Sequence, residues 1–149
     1  MRKIVICGSM AFSQAMINTE KELKAYGFEV VLPDDIEQYI DGKWEKKLAS
    51  GWNSQVEGAK RKIENNLIKR HYEEIKNADA ILVINQNKKG IKNYIGGNTF
   101  LEMSFAFVLN KNIFVLNRLP EELTLIYQEL VAMQPIVLEG DLTKITDNF

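Results

Sequence analysis

The sequence is poor in residues that make disulfides and metal sites. Its 149 residues include one cysteine, one histidine and three prolines. With Cys7 alone, no disulfide can form within the chain, and a reducing compartment such as the cytoplasm is expected. One histidine and one cysteine cannot supply the ligand cluster of a zinc site, so we expect no metal.

The sequence also lacks an excess of charge of one sign and long apolar runs. Nineteen Lys and Arg balance twenty Asp and Glu, for a net charge of −1. This balance implies no general attraction to nucleic acid or to a membrane surface. The apolar run over 4–7 is too short for a signal peptide, and no run approaches the ~20 residues of a membrane-spanning helix. We therefore expect neither a nucleic-acid nor a membrane partner.

The pattern that is present alternates between strands and helices. A hydrophobic content of 46% and this length predict one domain over residues 1–149. Apolar, often β-branched runs predict five strands, over 3–7, 28–32, 80–84, 112–116 and 136–138. Helical spacing predicts helices over 13–26, 56–77, 99–109 and 120–133. The polar stretch 34–54 is predicted to be a loop with short helical pieces.

This alternation predicts an α/β fold, a three-layer flavodoxin-like (Rossmann-like) sandwich. Its five-stranded parallel sheet is expected in the order 2-1-3-4-5. In that order, ligands bind beyond the carboxyl ends of strands one and three, where the topology switches direction. The segments that leave those ends are Gly8-Ser9-Met10 and the loop beginning at Asn85. The helix that carries Glu102 follows that loop, so Glu102 is expected to face the same crevice.

Familiar nucleotide and hydrolase motifs are absent. The chain has neither G-x-G-x-x-G nor a P-loop, so we expect no nucleotide cofactor. Ser9 lacks a Gly-x-Ser-x-Gly context, and His71 lies on another element, which argues against a serine hydrolase. What remains is Glu102, a carboxylate in an almost wholly apolar helix. Such a group can attack the anomeric carbon of a sugar, and apolar surroundings raise its pKa.

Glu102 also has a purely structural interpretation. Thr99 and Glu102 have the spacing of a capping box, in which threonine caps the helix start and the acid three residues later reaches back. A carboxylate in a first turn is also favoured by the helix dipole. Both interpretations stay open at this level.

Several blocks resemble the nucleoside 2-deoxyribosyltransferase-like superfamily. They are Ile-Cys-Gly-Ser-Met (6–10), Ala-Asp-Ala-Ile-Leu-Val (78–83), Gly-Gly-Asn-Thr-Phe-Leu-Glu-Met-Ser-Phe-Ala (96–106) and Lys-Asn-Ile-Phe-Val-Leu (111–116). The superfamily contains deoxyribosyltransferases and nucleotide N-glycoside hydrolases with a flavodoxin-like fold. In its Gly-x-x-x-Glu-x-x-x-Ala block the glutamate attacks C1′, and Glu102 and Ala106 match that block. Asn98 stands where the family usually has glycine, and residues 34–57 have no clear match.

A second departure concerns the proton donor. The family usually has an aspartate eight residues before the strand-three aspartate, here Asp79, and this position is His71. An imidazole titrates near neutral pH and could protonate a leaving base. Alternatively, His71 is an ordinary helix residue and the usual reaction is lost.

The remaining candidates are predicted to bind substrate. Gly8, Ser9, Met10, Gly97 and Asn98 could hold a sugar hydroxyl or a phosphate, or form tight turns. Asn85 and Asn117, each just past a strand, could bind base or sugar, or cap loops.

Two further features have both a functional and a structural interpretation. Trp44 and Trp52 could stack on a base or anchor their loop, and Tyr94 could form a pocket wall. The basic residues of the helix predicted over 56–77 could bind phosphate or form a solvated face.

The resemblance implies cleavage or transfer at the N-glycosidic bond of a nucleoside or nucleoside monophosphate, with Glu102 as nucleophile. It also implies a homodimer. The alternatives are a non-catalytic nucleotide-binding or sensor protein on the same fold and a purely structural module.

Overall fold

The computed structural model describes residues 1–53 and 55–149. Five short strands form the centre of this described part of the chain. The strands are β1 (Lys3–Gly8), β2 (Glu29–Val31), β3 (Ala80–Ile84), β4 (Asn112–Val115) and β5 (Ile136–Val137). They pair in parallel in the order β2-β1-β3-β4-β5, which confirms the predicted sheet. The pairing of Gly8 with Ile84 brings the carboxyl ends of β1 and β3 side by side.

Helices cover both faces of this sheet. They are α1 (Ser13–Ala25), α2 (Lys43–Ala49), α3 (Val56–Glu64), α4 (Leu67–Lys76), α5 (Gly97–Val108) and α6 (Tyr127–Ala132). Short 3-10 helices cover Met10–Phe12, Ile36–Gln38 and Leu142–Asn148. No helix among residues 1–53 and 55–149 is long and apolar enough to cross a membrane.

Successive strand residues point to opposite faces and so build two cores. On one face, Ile4, Ile6 and Leu82 pack with α1 and the C-terminal 3-10 helix. On the other, Val5 and Val83 pack with α4, α5 and α6. Burial of both faces explains why the strands are continuous apolar runs, as is typical of parallel sheets. The predicted three-layer architecture is confirmed.

The single helix predicted over 56–77 is wrong, because two helices occupy this stretch. Asn66 lies between them in the left-handed conformation, with φ of +51°. Asparagine adopts this conformation more readily than most residues. After the break, α4 buries Leu67 and Ile75, whereas α3 buries no residue.

Two other predictions concern connecting segments. The helix predicted from Pro120 is wrong, because α6 begins only at Tyr127. Residues 120–126 form successive turns, in which Leu123 and Ile126 pack against the core. The stretch 34–54 contains short helical pieces, as predicted, although its last residue, Ser54, lies outside the described residues.

Candidate active site

A cavity of about 240 Å³ opens at the carboxyl ends of β1 and β3. This is the place where the strand order predicts a ligand site. Its walls come from the turn after β1, the loop after β3, the start of α5, one side of α4 and the segment over 34–53 and 55–62. The lining residues include Gly8, Ser9, Met10, Asp34, Tyr39, Trp44, Trp52, Arg61, Lys62, His71, Glu74, Lys88, Tyr94, Gly96, Gly97, Asn98 and Glu102.

Glu102 is a buried carboxylate in the wall of this cavity, with 6% of its surface exposed. The predicted capping box is wrong, because α5 begins at Gly97 with Gly96 as its cap and no side chain caps it. The helix begins two residues before the predicted start at Thr99, so Glu102 lies beyond its first turn. Its Oε1 instead accepts a hydrogen bond of 2.7 Å from Asn98 Nδ2, four residues earlier. Helix capping therefore does not explain this carboxylate.

Burial changes the chemistry of Glu102. Desolvation raises its pKa from 4.5 to about 7, and repulsion from Glu74 adds to the rise. The Cys7 thiol and the positive charge of Lys62 act in the opposite direction. The carboxylate in turn raises the pKa of the buried Cys7 thiol, which burial has already increased. At neutral pH, Glu102 thus exists in comparable protonated and ionised fractions.

The turn after β1 brings a serine hydroxyl and a lysine together. Gly8 is needed for close approach, since a Cβ there would lie 2.8 Å from the Ile84 carbonyl oxygen. Ser9 Oγ accepts a hydrogen bond of 2.6 Å from Lys88 Nζ, and Met10 also lines the cavity. Burial lowers the pKa of Lys88, whose ammonium lies 5.1 Å from the centre of the Tyr94 ring.

The start of α5 supplies small groups and an amide. Gly97 has open space where a Cβ would be, so its backbone faces the cavity without hindrance. Gly96 packs against Tyr94, whose ring would lie 3.3 Å from an added Cβ. Asn98 also lines the cavity, but its amide is already engaged by Glu102.

His71 and Glu74 lie one helical turn apart on α4, and both line the cavity. The His71 Nδ1 atom is buried and has no hydrogen-bond partner among the described residues. Burial lowers the pKa of His71, although Asp34 opposes the decrease. Burial and the neighbouring Asp34 raise the pKa of Glu74. The α4 wall therefore holds a histidine that favours the neutral form and a glutamate that is shifted towards its protonated form.

Aromatic side chains form the outer wall. The Trp44 ring centre lies 5.6 Å from that of Tyr39 and 5.8 Å from that of Trp52. Lys47 Nζ lies 4.5 Å from the Tyr39 ring centre. All three rings line the cavity, so the tryptophans both anchor their loop and present surface to a ligand.

The basic residues of α3 and α4 divide between structure and cavity. Arg70 pairs with Asp34 at 3.0 Å, and Arg61 with Asp35 at 3.2 Å, so both hold the segment after β2 against these helices. Lys62 lines the cavity and adds a positive charge to it.

Asn85 and Asn117 are not brought to this cavity. Asn85 is fully buried, and its amide donates to the carbonyl oxygens of Asn117 and Arg118 at 3.1 Å. Asn117 reciprocates through its backbone N–H and its side chain, at 2.9 Å each. The pair links the loops after β3 and β4, which agrees with the structural interpretation of these asparagines as loop caps.

Sequence reasoning missed Glu74 and Lys88 as cavity residues. Glu74 follows His71 by three residues, a spacing that places both on one helix face and could have revealed it. Lys88 is one of several lysines in a polar loop, and only the fold distinguishes it. Among residues 1–53 and 55–149, no cluster of three His, Cys, Asp or Glu side chains is arranged to hold a metal ion.

The fold resembles that of a known enzyme. No protein-family model matches the sequence, and no curated protein matches it significantly. Among solved structures, the CMP N-glycosidase BcmB from Clostridium botulinum superposes with a TM-score of 0.52 at 15% identity. The match covers 99% of this chain and 100% of that one. At this identity the likeness shows a shared fold, and it confirms the flavodoxin-like architecture that the sequence predicts.

Proposed function

We propose that this protein cleaves the N-glycosidic bond of a nucleoside 5′-monophosphate or nucleoside, with Glu102 as the nucleophile. The observation that carries the proposal is the buried Glu102 carboxylate in the wall of the cavity at the topological switch point. Helix capping does not explain it, and its amide partner Asn98 restrains it. Its place in the sequence block that resembles the superfamily supports the same role.

The chemistry requires Glu102 in its ionised form. A carboxylate oxygen would attack C1′ while the bond pair of the glycosidic bond leaves with the base. The resulting glycosyl ester on Glu102 would then be attacked by water, or by a second base in a transferase. A pKa of about 7 leaves a substantial ionised fraction at neutral pH. Poor solvation in the apolar wall makes that fraction more reactive.

The other walls supply groups suited to a nucleotide. Lys88 with Ser9 offers a cation and a hydroxyl that can hold a phosphate. Trp44 and Trp52 offer ring faces and edges against which a base can pack. Because the structurally similar BcmB is a CMP N-glycosidase, CMP is the first substrate to test.

The direct experiment measures base release from CMP, cytidine and a panel of other nucleotides. Wild-type protein is expected to release free base, and Glu102→Gln to reduce the rate by roughly 10⁴-fold or more, as for loss of a covalent nucleophile. Glutamine keeps the size of the side chain and an oxygen that can accept the Asn98 hydrogen bond. Adding a second base tests for an exchange product and separates a transferase from a hydrolase.

Glu129→Gln is the matched control, since Glu129 is an exposed acid on α6, away from the cavity. It should leave base release unchanged. A Glu102→Gln variant with full activity would contradict the nucleophile.

The alternative function is nucleotide binding without cleavage. His71 favours it, because a histidine of lowered pKa occupies the position of the usual aspartate. Under this alternative, calorimetry would detect CMP binding while no panel member releases base.

A further inference from the structure

Glu74 is a second cavity carboxylate for which the fold gives no other use. It lies on α4, which packs against the helix α5 that carries Glu102. Both carboxylates line the same cavity. The Glu74 carboxyl group has no hydrogen bond and no ion pair with any described side chain, whereas Glu73 beside it pairs with Lys76. A partly buried carboxyl group without a partner is available to a ligand.

The charges around Glu74 come from several elements. Asp34, after β2, and Glu102, on α5, are negative, whereas Arg70, on α4, and Lys3, on β1, are positive. Arg70 and Asp34 pair at 3.0 Å, so their opposite effects on Glu74 partly cancel. Burial, the largest contribution, therefore favours the protonated form of Glu74.

We propose that Glu74 is the residue that protonates the leaving base and then activates water, and this inference rests on the proposed function. His71 is the competing donor on the same helix face. Burial lowers the pKa of His71, and Arg61, Arg70 and Lys62 lower it further, although Asp34 acts in the opposite direction. His71 then forms part of the cavity wall beside Glu74.

The reaction balances with these two carboxylates. Glu102 Oε forms a bond to C1′, and the C1′–N bond pair passes to the base, which takes the proton of the Glu74 carboxyl group. In the second step the Glu74 carboxylate accepts a proton from water. The water oxygen bonds to C1′, and the ester bond pair returns to Glu102. This is the division of roles in retaining glycosidases, where one carboxyl is nucleophile and the other is acid and then base.

The test compares two leaving groups. Cytosine of CMP needs a proton to leave, whereas p-nitrophenolate of p-nitrophenyl ribofuranoside 5-phosphate does not. Glu74→Gln should slow base release from CMP by about 10²- to 10⁴-fold, the usual contribution of a general acid. It should change the first release of p-nitrophenolate only a few-fold, which also shows that the variant is folded. Glu73→Gln, a change at the neighbouring exposed acid, should alter neither rate.

The pH profile provides a second measurement. The decrease in CMP cleavage at high pH should persist in His71→Asn and disappear in Glu74→Gln, since the acid must be protonated.

Three results would overturn the assignment. They are equal slowing of both substrates in Glu74→Gln, no slowing of either, or loss of the high-pH decrease in His71→Asn instead. If Glu102→Gln still releases p-nitrophenolate at the wild-type rate, or wild type cleaves neither substrate, the proposed function fails and Glu74 with it. If p-nitrophenolate release depends on Glu102 but Glu74→Gln affects CMP and the p-nitrophenyl substrate equally, the proposed function stands and only the role of Glu74 fails.

Discussion

The helix α5 and the segment over 34–53 and 55–66 both line the cavity and are packed in different ways. α5 buries Thr99, Glu102, Met103 and Ala106 against the sheet. In the segment, α2 and α3 bury no residue at all, and Ile63 is 79% exposed. The Glu102 carboxylate therefore lies on a helix that is packed into the core. Trp44, Trp52 and Lys62 lie on a segment that is packed less firmly.

This difference separates two tasks. A nucleophile must be held at a defined position and in a poorly solvated place, which a buried helix provides. Recognition of a base or phosphate tolerates a surface segment, where sequence can change at little cost to the fold. The stretch over 34–57, which has no clear match to the superfamily, contributes Tyr39, Trp44 and Trp52 to this second wall.

The largest expected contrast is in stability. Met103 on α5 is fully buried, and Met103→Ala should lower the free energy of unfolding by about 2–5 kcal/mol because it leaves a cavity. Ile63→Ser, in the exposed segment, should change it by no more than about 0.5 kcal/mol. Urea unfolding of both variants measures the difference. Equal losses would mean that the segment belongs to the cooperative core.

The second contrast concerns pH. The folded protein keeps a proton on Glu102 up to about pH 7, whereas the unfolded chain releases it near 4.5. Between these values the folded state binds more protons, so the contribution of Glu102 to stability falls as pH rises. Glu102→Gln removes that decrease and should be more stable than wild type at pH 8 by roughly 3 kcal/mol. Urea unfolding at pH 5 and pH 8 checks this, with Glu129→Gln as control. An unchanged pH dependence would show that Glu102 is well solvated.

The smallest expected effect is on recognition. Trp52→Ala should raise KM for CMP by roughly 5- to 100-fold, which corresponds to about 1–3 kcal/mol for loss of one stacking partner. kcat should change less, because the α5 wall is untouched. Steady-state kinetics separates the two constants, and thermal unfolding should show little loss of stability. A large fall in kcat at constant KM would place Trp52 with the reacting groups instead.

The central α/β pattern was predictable because it depends on local chemistry. Fully apolar runs such as the one over 80–84 are recognisable as buried parallel strands, and their alternation with helices leaves few topologies. Helix ends were less predictable. The start of α5 at Gly97 and the break at Asn66 depend on backbone conformations that several residue types allow. The spacing of hydrophobic residues does not indicate these backbone conformations.

The site residues also differ in how far they could be predicted. Glu102 could be placed at the crevice because its helix directly follows the loop that leaves β3. The mutual bonding of Asn85 and Asn117 could not be foreseen, because it joins residues 32 positions apart. Lys88 likewise reaches Ser9 across 79 positions.

The sequence by itself determined the sheet, its order and the helix that carries a lone carboxylate, because apolar periodicity and connection rules act locally. Only the tertiary structure decided the environment of that carboxylate. Burial and the nearby Glu74 raise the pKa of Glu102 to about 7, and both depend on how α4 and α5 pack against each other and the sheet. Desolvation is a property of the surrounding atoms, and the chain supplies those atoms from distant positions.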